Sequence, residues 1–227
     1  MEQILSSAKK VAEEAEVFEV SSEETQVRFE ANRLKQLQTN QTTSVALRII
    51  KGGRIGYATT TGIGDADELV GNAVETAEFG TVARFRMPDL KKCPEVSVYD
   101  PAVESVPIKE MIDLGGEMIT AVTSHTKGIM CEAGVSRGVI SVRIVNSRGG
   151  QAEYRKSFFS LDIEGNLIEA TDMLFVGESD SSCHPLEESK KVTDLVLRQL
   201  DLAKHRAKSP TRKMPVVFTS NGVGSAL

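Results

Sequence analysis

Apolar residues change their spacing along the chain, and they do so in the same order twice. Ile4, Leu5, Ala8, Val11, Ala12 and Ala15 share one face at helical spacing, so the first segment is predicted to be a helix. The period then drops to two. Gln26 to Ala31 alternates, as does Ser44 to Ile49; Lys51-Gly52-Gly53-Arg54 supplies turn chemistry, and Ile55 to Thr61 continues in β-branched and small residues. Residues 16–61 therefore read as an antiparallel meander. Asp65, after Gly62-Ile63-Gly64, is a candidate N-cap with Glu68 three positions on, as in a capping box. Leu69, Val70, Ala73, Val74 and Ala77 give the next helix its apolar face, and Gly80 is a natural stop.

Pro88, Pro94, Pro101 and Pro107 mark residues 81–107 as an irregular connection. Beyond it a helix is expected from about Ile108 to Ser124. Gly115-Gly116 inside it costs about 1 kcal/mol per glycine against alanine, which predicts close packing or a break there. A second region of period two follows. Ile140, Val142 and Ile144 alternate, Asn146 to Gly150 makes a turn, Phe159, Leu161 and Ile163 alternate, and Glu164-Gly165-Asn166 is expected to turn again into Leu167 to Val176. A last long helix is predicted from about Pro185 to Lys208, with Glu187 and Glu188 in its first turn and Lys204, His205 and Arg206 in its last, where they complement the helix dipole. Met214 to Thr219 reads as a strand, and Ser220 to Leu227 as a turn entering a helix.

Strands grouped before helices imply an α+β fold: two antiparallel β-meanders, each flanked by helices. The expected organisation is an N-terminal α+β domain over 1–208, with halves at about 1–80 and 108–208, and a lead-in over 209–227 to a C-terminal domain outside this chain. The apolar pattern that begins at Val223, Ala226 and Leu227 is what a piece of a longer protein would show.

Composition narrows the function. The 227 residues are 40% hydrophobic and 26% charged, which is ordinary for a folded domain. Lys plus Arg is 27 against 32 for Asp plus Glu, a net charge of −5, so the broad basic footprint of a nucleic-acid binder is missing. The residues between Lys204 and Lys213 are locally basic, yet no aromatic is interleaved with them, and a helix end running into a solvated linker explains them. No apolar run reaches the roughly 18–20 residues of a membrane span, and the N-terminus lacks a signal-peptide core. Cys93, Cys131 and Cys183 form no paired framework. A cytoplasmic location is expected.

Motifs for chemistry are sparse. His125, His184 and His205 are too far apart for two zinc ligands on one helical turn. Gly62-Ile63-Gly64 has the strand-to-helix context of a dinucleotide fingerprint, but Asp67 stands where the third glycine belongs and would repel pyrophosphate. No nucleophile elbow occurs. Asp162 and Glu164 alternate onto one outer face, which a solvated surface explains better than acid–base catalysis. No catalytic, cofactor-binding or metal-binding residue is therefore assigned. What two meanders do supply is strand edges, and a free edge can bind an extended peptide through main-chain hydrogen bonds.

Several stretches together resemble the N-terminal half of the TldD/PmbA family, whose members are labelled modulators of DNA gyrase and regarded as metallopeptidases. They are Val45 to Thr59 with the helix from Asp65 to Phe79, the Asn146-Ser147-Arg148-Gly149 turn, and Pro215-Val216-Val217-Phe218 followed by Gly222 to Leu227. The resemblance implies an oligomer of TldD- and PmbA-type subunits, a dimer at least, homo- or hetero-oligomeric. It also implies cleavage of unfolded peptides or pro-segments, with zinc held in the catalytic subunit by a His-Glu-x-x-x-His helix. That motif is absent from residues 1–227, so no family metal or catalytic residue carries over and the chain is expected to be inactive alone. Two further readings stay open: a non-catalytic, PmbA-like binding partner, toward which the first meander leans, and an unrelated small-molecule enzyme.

Overall fold

Alternation of buried and exposed side chains decides the architecture, except along the first half of the second strand, where residues 33–42 are exposed on both faces. A computed structural model describes residues 1–62, 64–89, 94–169, 172–205, 211–218 and 222–224. The strands are β1 (Glu14–Glu30), β2 (Arg33–Lys51), β3 (Arg54–Thr61), β4 (Met130–Asn146), β5 (Gln151–Glu169) and β6 (Asp172–Ser182). The helices are α1 (Glu2–Ala8), α2 (Ala66–Glu78), α3 (Ala102–Ser105), α4 (Ile108–His125) and α5 (Lys190–Ala203).

The two meanders are not separate sheets. β1 pairs with β4 from Glu16↔Asn146 to Phe29↔Ala133, giving one six-stranded antiparallel sheet in the order β3-β2-β1-β4-β5-β6. The register sets Val17 beside Leu47 and Val145, and Val27 beside Val135, which itself faces Leu161. These residues are buried, and the helices pack on that face in two groups. α1 and α2 cover the β1–β2 end around Leu5, Leu69 and Ala73. α4 and α5 cover the β4–β5–β6 end around Met111, Met118, Val196 and Phe159. The other face carries no helix among the described residues.

Local chemistry explains most element ends. The Asp65 side chain accepts the Asp67 backbone N–H and starts α2. Gly52 and Gly53 both have positive φ, which a two-residue hairpin between β2 and β3 requires. The glycine inside α4 is a close approach: a Cβ on Gly115 would lie 2.3 Å from the Phe29 ring.

Four expectations are corrected. α1 ends at Ala8, because the Glu13 N–H already donates to the Ile50 carbonyl and Ala15 belongs to β1. Glu164-Gly165-Asn166 is not a turn but the middle of a ladder, paired with Glu132, Cys131 and Met130. Gly165 is small because a Cβ there would sit 2.7 Å from Ile129. α5 begins only after Ser189, whose carbonyl accepts both the backbone N–H and the hydroxyl of Thr193, so Glu187 and Glu188 precede it. Lys204 follows α5, and Arg206 to Lys208 lie outside the described residues. Met214 to Phe218 form no strand; Thr219 lies outside the described residues and 222–224 are helical.

At one end of the open face, Phe85 to Asp89 lie across the sheet. Met87 is buried there, its N–H donating 2.6 Å to Glu14 Oε2, while Arg86 Nε donates 2.9 Å to Glu14 Oε1. Arg48 holds Glu16 at 2.5 Å and stacks on Phe85, and Asn146 donates to the Pro88 carbonyl. Burial acts to raise the Glu14 carboxyl, but the Met87 N–H, Arg86 and Arg148 together hold it below the usual glutamate range. A lowered folded pKa means that this stabilisation is complete above the unfolded value and disappears as pH falls through the folded one. The denaturation midpoint of the native chain should therefore fall below about pH 5 more steeply than that of Glu14→Gln, in urea titrations across pH. Gly115→Ala should destabilise by about 1–3 kcal/mol through the Phe29 clash, despite the gain in helix propensity, and Phe29→Leu in the same chain should recover part of the loss.

Candidate functional site

The residues that sequence reading weighed for chemistry do not converge. His125 Nε2 lies 3.2 Å from Asp201, joining α4 to α5, and His184 Nδ1 lies 2.8 Å from Asp100, whose carboxyl that contact holds below its usual value. Cys131 is buried and burial pushes its thiol up to about 11, so it is neither a nucleophile nor a ready metal ligand. Cys93 and Ile63 lie outside the described residues. Asp162 does face outward with Glu164. Burial raises its carboxyl, against the pull of Arg28 and the Gly134 N–H. Among the described residues no three His, Cys, Asp or Glu side chains gather to hold a metal. The described residues thus offer no donor set that fits the zinc of the resembled family.

Among the described residues the sheet edges are where backbone groups are left unpaired. Neighbouring residues of an edge strand point their N–H and C=O alternately into the sheet and out of it. On β3 the outward groups of Tyr57 are both taken by the Thr76 hydroxyl of α2, at 2.9 and 2.8 Å. Ile55 N–H donates to the Thr81 carbonyl, and Arg54 bridges to Val82. What is left of that edge, toward Thr61, is flanked by hydroxyl side chains.

β6 is sealed over only part of its length. Gln199 of α5 reaches the edge and clamps Gly177, accepting its N–H at 3.1 Å and donating to its carbonyl at 2.9 Å. The Ser179 and Ser181 N–H groups are taken by Glu178 and Asp180. The same alternation turns Met173 and Phe175 outward, and among the described residues no side chain seals them. Their own side chains stand on the open face, 58% and 66% exposed, next to Ile168 and Met130 at 55% and 53%. A groove of about 670 Å³ lies on the helix side, between Leu174, Leu200 and Lys204. Another of about 450 Å³ lies on the open side, lined by Met130, Phe175 and Asn166, whose buried Oδ1 accepts no hydrogen bond. An extended segment laid on residues 172–176 would complete a ladder and place alternate side chains in these two grooves.

Sequence reading foresaw a free edge but not which one. How far β3 and β6 are sealed depends on Thr76 and Gln199, helix side chains about twenty residues from those strands, while residues 33–43 of β2 and 151–158 of β5 lie outside the β3 and β6 ladders altogether. Removing the clamp should be readable directly: Gln199→Ala should speed amide hydrogen exchange at Gly177 and cost about 1 kcal/mol of stability.

The comparisons with known proteins follow the fold. Residues 15–77 match PmbA/TldA metallopeptidase domain 1, and residues 101–200 match the PmbA/TldA metallopeptidase central domain. An uncharacterized protein of Methanocaldococcus jannaschii, MJ0231, is 26% identical over 214 residues, covering 91% of this chain and 47% of its own length. TldE from Thermococcus kodakarensis superposes with a TM-score of 0.77 at 14% identity, over 88% of this chain and 47% of that one. A protein of Bacteroides thetaiotaomicron described as a modulator of DNA gyrase superposes with a TM-score of 0.71 at 18% identity, over 87% of this chain and 48% of that one. The chain thus spans about half the length of these relatives. With two consecutive family domains matched in order across most of its residues, the chain belongs to the PmbA/TldD family.

Proposed function

We propose that this chain is the N-terminal domain of a PmbA/TldD-type subunit that takes part in proteolysis in the cytoplasm. It would serve as scaffold for the assembly with a TldD- or PmbA-type subunit, and it would receive unfolded peptides or pro-segments as added strands on β6. Residues 1–208 form the domain in this reading, and 209–227 lead toward a C-terminal part that would hold the zinc chemistry. The observation that carries peptide capture is the short length of β6 edge, about Met173 to Phe175, left open between exposed apolar side chains while its neighbours are sealed. Main-chain pairing reads extension rather than sequence, which suits a substrate defined by being unfolded.

Two measurements test it. Elemental analysis of the purified 227-residue chain should find no stoichiometric zinc, and casein peptides should remain uncut. Near-equimolar zinc with chelator-sensitive hydrolysis would overturn the division of labour. Fluorescence anisotropy with a labelled unfolded peptide should show binding that Phe175→Asp weakens about tenfold or more. Equal binding by the variant would remove β6 from the function.

A further inference from the structure

The open edge of β6 specifies the strand it accepts more narrowly than extension alone. In an antiparallel ladder, directly opposed residues share a face. An incoming strand places one residue opposite Phe175 and, two positions later, one opposite Met173. Both side chains then lie on the open face, against Phe175, Met173, Ile168 and Met130. The residue between them points its side chain to the helix side and its N–H away from β6. The residue two positions earlier falls beyond the open stretch, because Gln199 already holds the N–H and C=O of Gly177; only a long side chain reaches back from there to Glu164, whose cross-strand neighbour is Glu132. The edge therefore asks for a cation and then two large apolar residues at alternate positions, and no N–H is needed between the two apolar ones.

Arg212, Met214 and Val216 of this chain have that spacing, and Phe218 extends it. Pro215, the residue that cannot donate, falls at the position whose N–H would face solvent, which is where a strand tolerates proline. The segment belongs to no helix or strand in the structure. Met214, Val216 and Phe218 are 48%, 66% and 56% exposed. We propose that Met214 to Val216 of one copy adds antiparallel to the β6 edge of a second copy, with Met214 opposite Phe175, Val216 opposite Met173 and Arg212 just beyond the paired stretch. The proposal rests on the reading of this edge as a strand acceptor. It makes this segment of the chain the competitor for any peptide that binds there. Charge supports the register: the arginine meets a surface holding Glu164 and Glu132, and the apolar residues meet the exposed Met173 and Phe175.

The test uses two separately purified variants of the 227-residue chain, Met173→Cys and Val216→Cys. Hydrogen-bonded partners in an antiparallel pair have Cα atoms about 5.5 Å apart, a spacing that a disulfide spans. Mixed and mildly oxidised, they should give a covalent heterodimer on non-reducing gels, with a 173–216 linkage in the peptide map. Either variant alone should not give that linkage. In sedimentation velocity the native chain should associate with increasing concentration, and Val216→Asp should weaken that association about tenfold or more. Absence of the mixed disulfide would overturn the proposal. If the cross-link is absent while a labelled unrelated unfolded peptide still binds and Phe175→Asp still weakens it, self-pairing fails and peptide capture stands. If both are absent, both readings fall.

Discussion

The ladder between β1 and β4 is the constraint on which the rest of the molecule depends. Alone, each meander would be a three-stranded sheet with two raw edges and a helix or two to cover one face. Pairing Glu16–Phe29 with Ala133–Asn146 removes one edge from each and makes the sheet continuous. Because pairing in register also keeps every inward side chain on the same side, all the helices must lie on one face. The two helical groups then form two clusters rather than one, with Val145 of β4 in the first and Val27 and Phe29 of β1 in the second. The central strands are what the two clusters have in common.

Much of this was legible in the chain. Alternation over Ser44–Ile49 and Phe159–Ile163, the Gly52-Gly53 hairpin and the Asp65 cap are local signals, and the local choice agrees with the global one at each. The failures share a cause of the opposite kind. Gly165 looks like a turn residue because flexibility and smallness are the same letter in a sequence; here smallness is what Ile129 demands. The turn between β1 and β2 passes unnoticed because it is made by Ala31 and Asn32, both at positive φ, instead of glycine. Asn32 is held there from outside, donating to the Ile129 carbonyl and accepting the Cys131 N–H, partners about a hundred residues away. The candidate site was invisible for the same reason: it is defined by which backbone groups lack a partner, and that is a property of the assembled sheet.

The open face is not a bare one. Glu14 and Glu16 are both largely buried, a placement that is tolerable only with compensation. Arg86, Arg148 and the Met87 amide compensate the first and Arg48 the second, so the Phe85–Asp89 stretch is bound to the sheet by charge where the helices are bound by apolar area. Toward Met130 and Phe175 no described residue covers the sheet, and the same face becomes apolar and exposed. Among the described residues one end of the face is covered and the other is apolar and exposed, and the difference comes from which side chains the connecting segments bring.

The β1–β4 ladder also has a consequence for the order in which the molecule can be made. Its pairs join residues at least 104 positions apart, as in Phe29↔Ala133. From the end of β3 at Thr61, a ribosome adding about 5–20 residues per second needs roughly 4–14 s to reach Ala133 and begin supplying the missing partner. Throughout that interval the first meander has its pairing partners β2 and β3 but carries β1 as an unprotected border. Glu19, Ser21, Ser22, Glu23 and Glu24 lie along that border, and their charge and polarity discourage pairing with a neighbouring nascent chain. The acidic run that looks wasteful in the interior of a finished sheet is thus suited to the time before the sheet is finished.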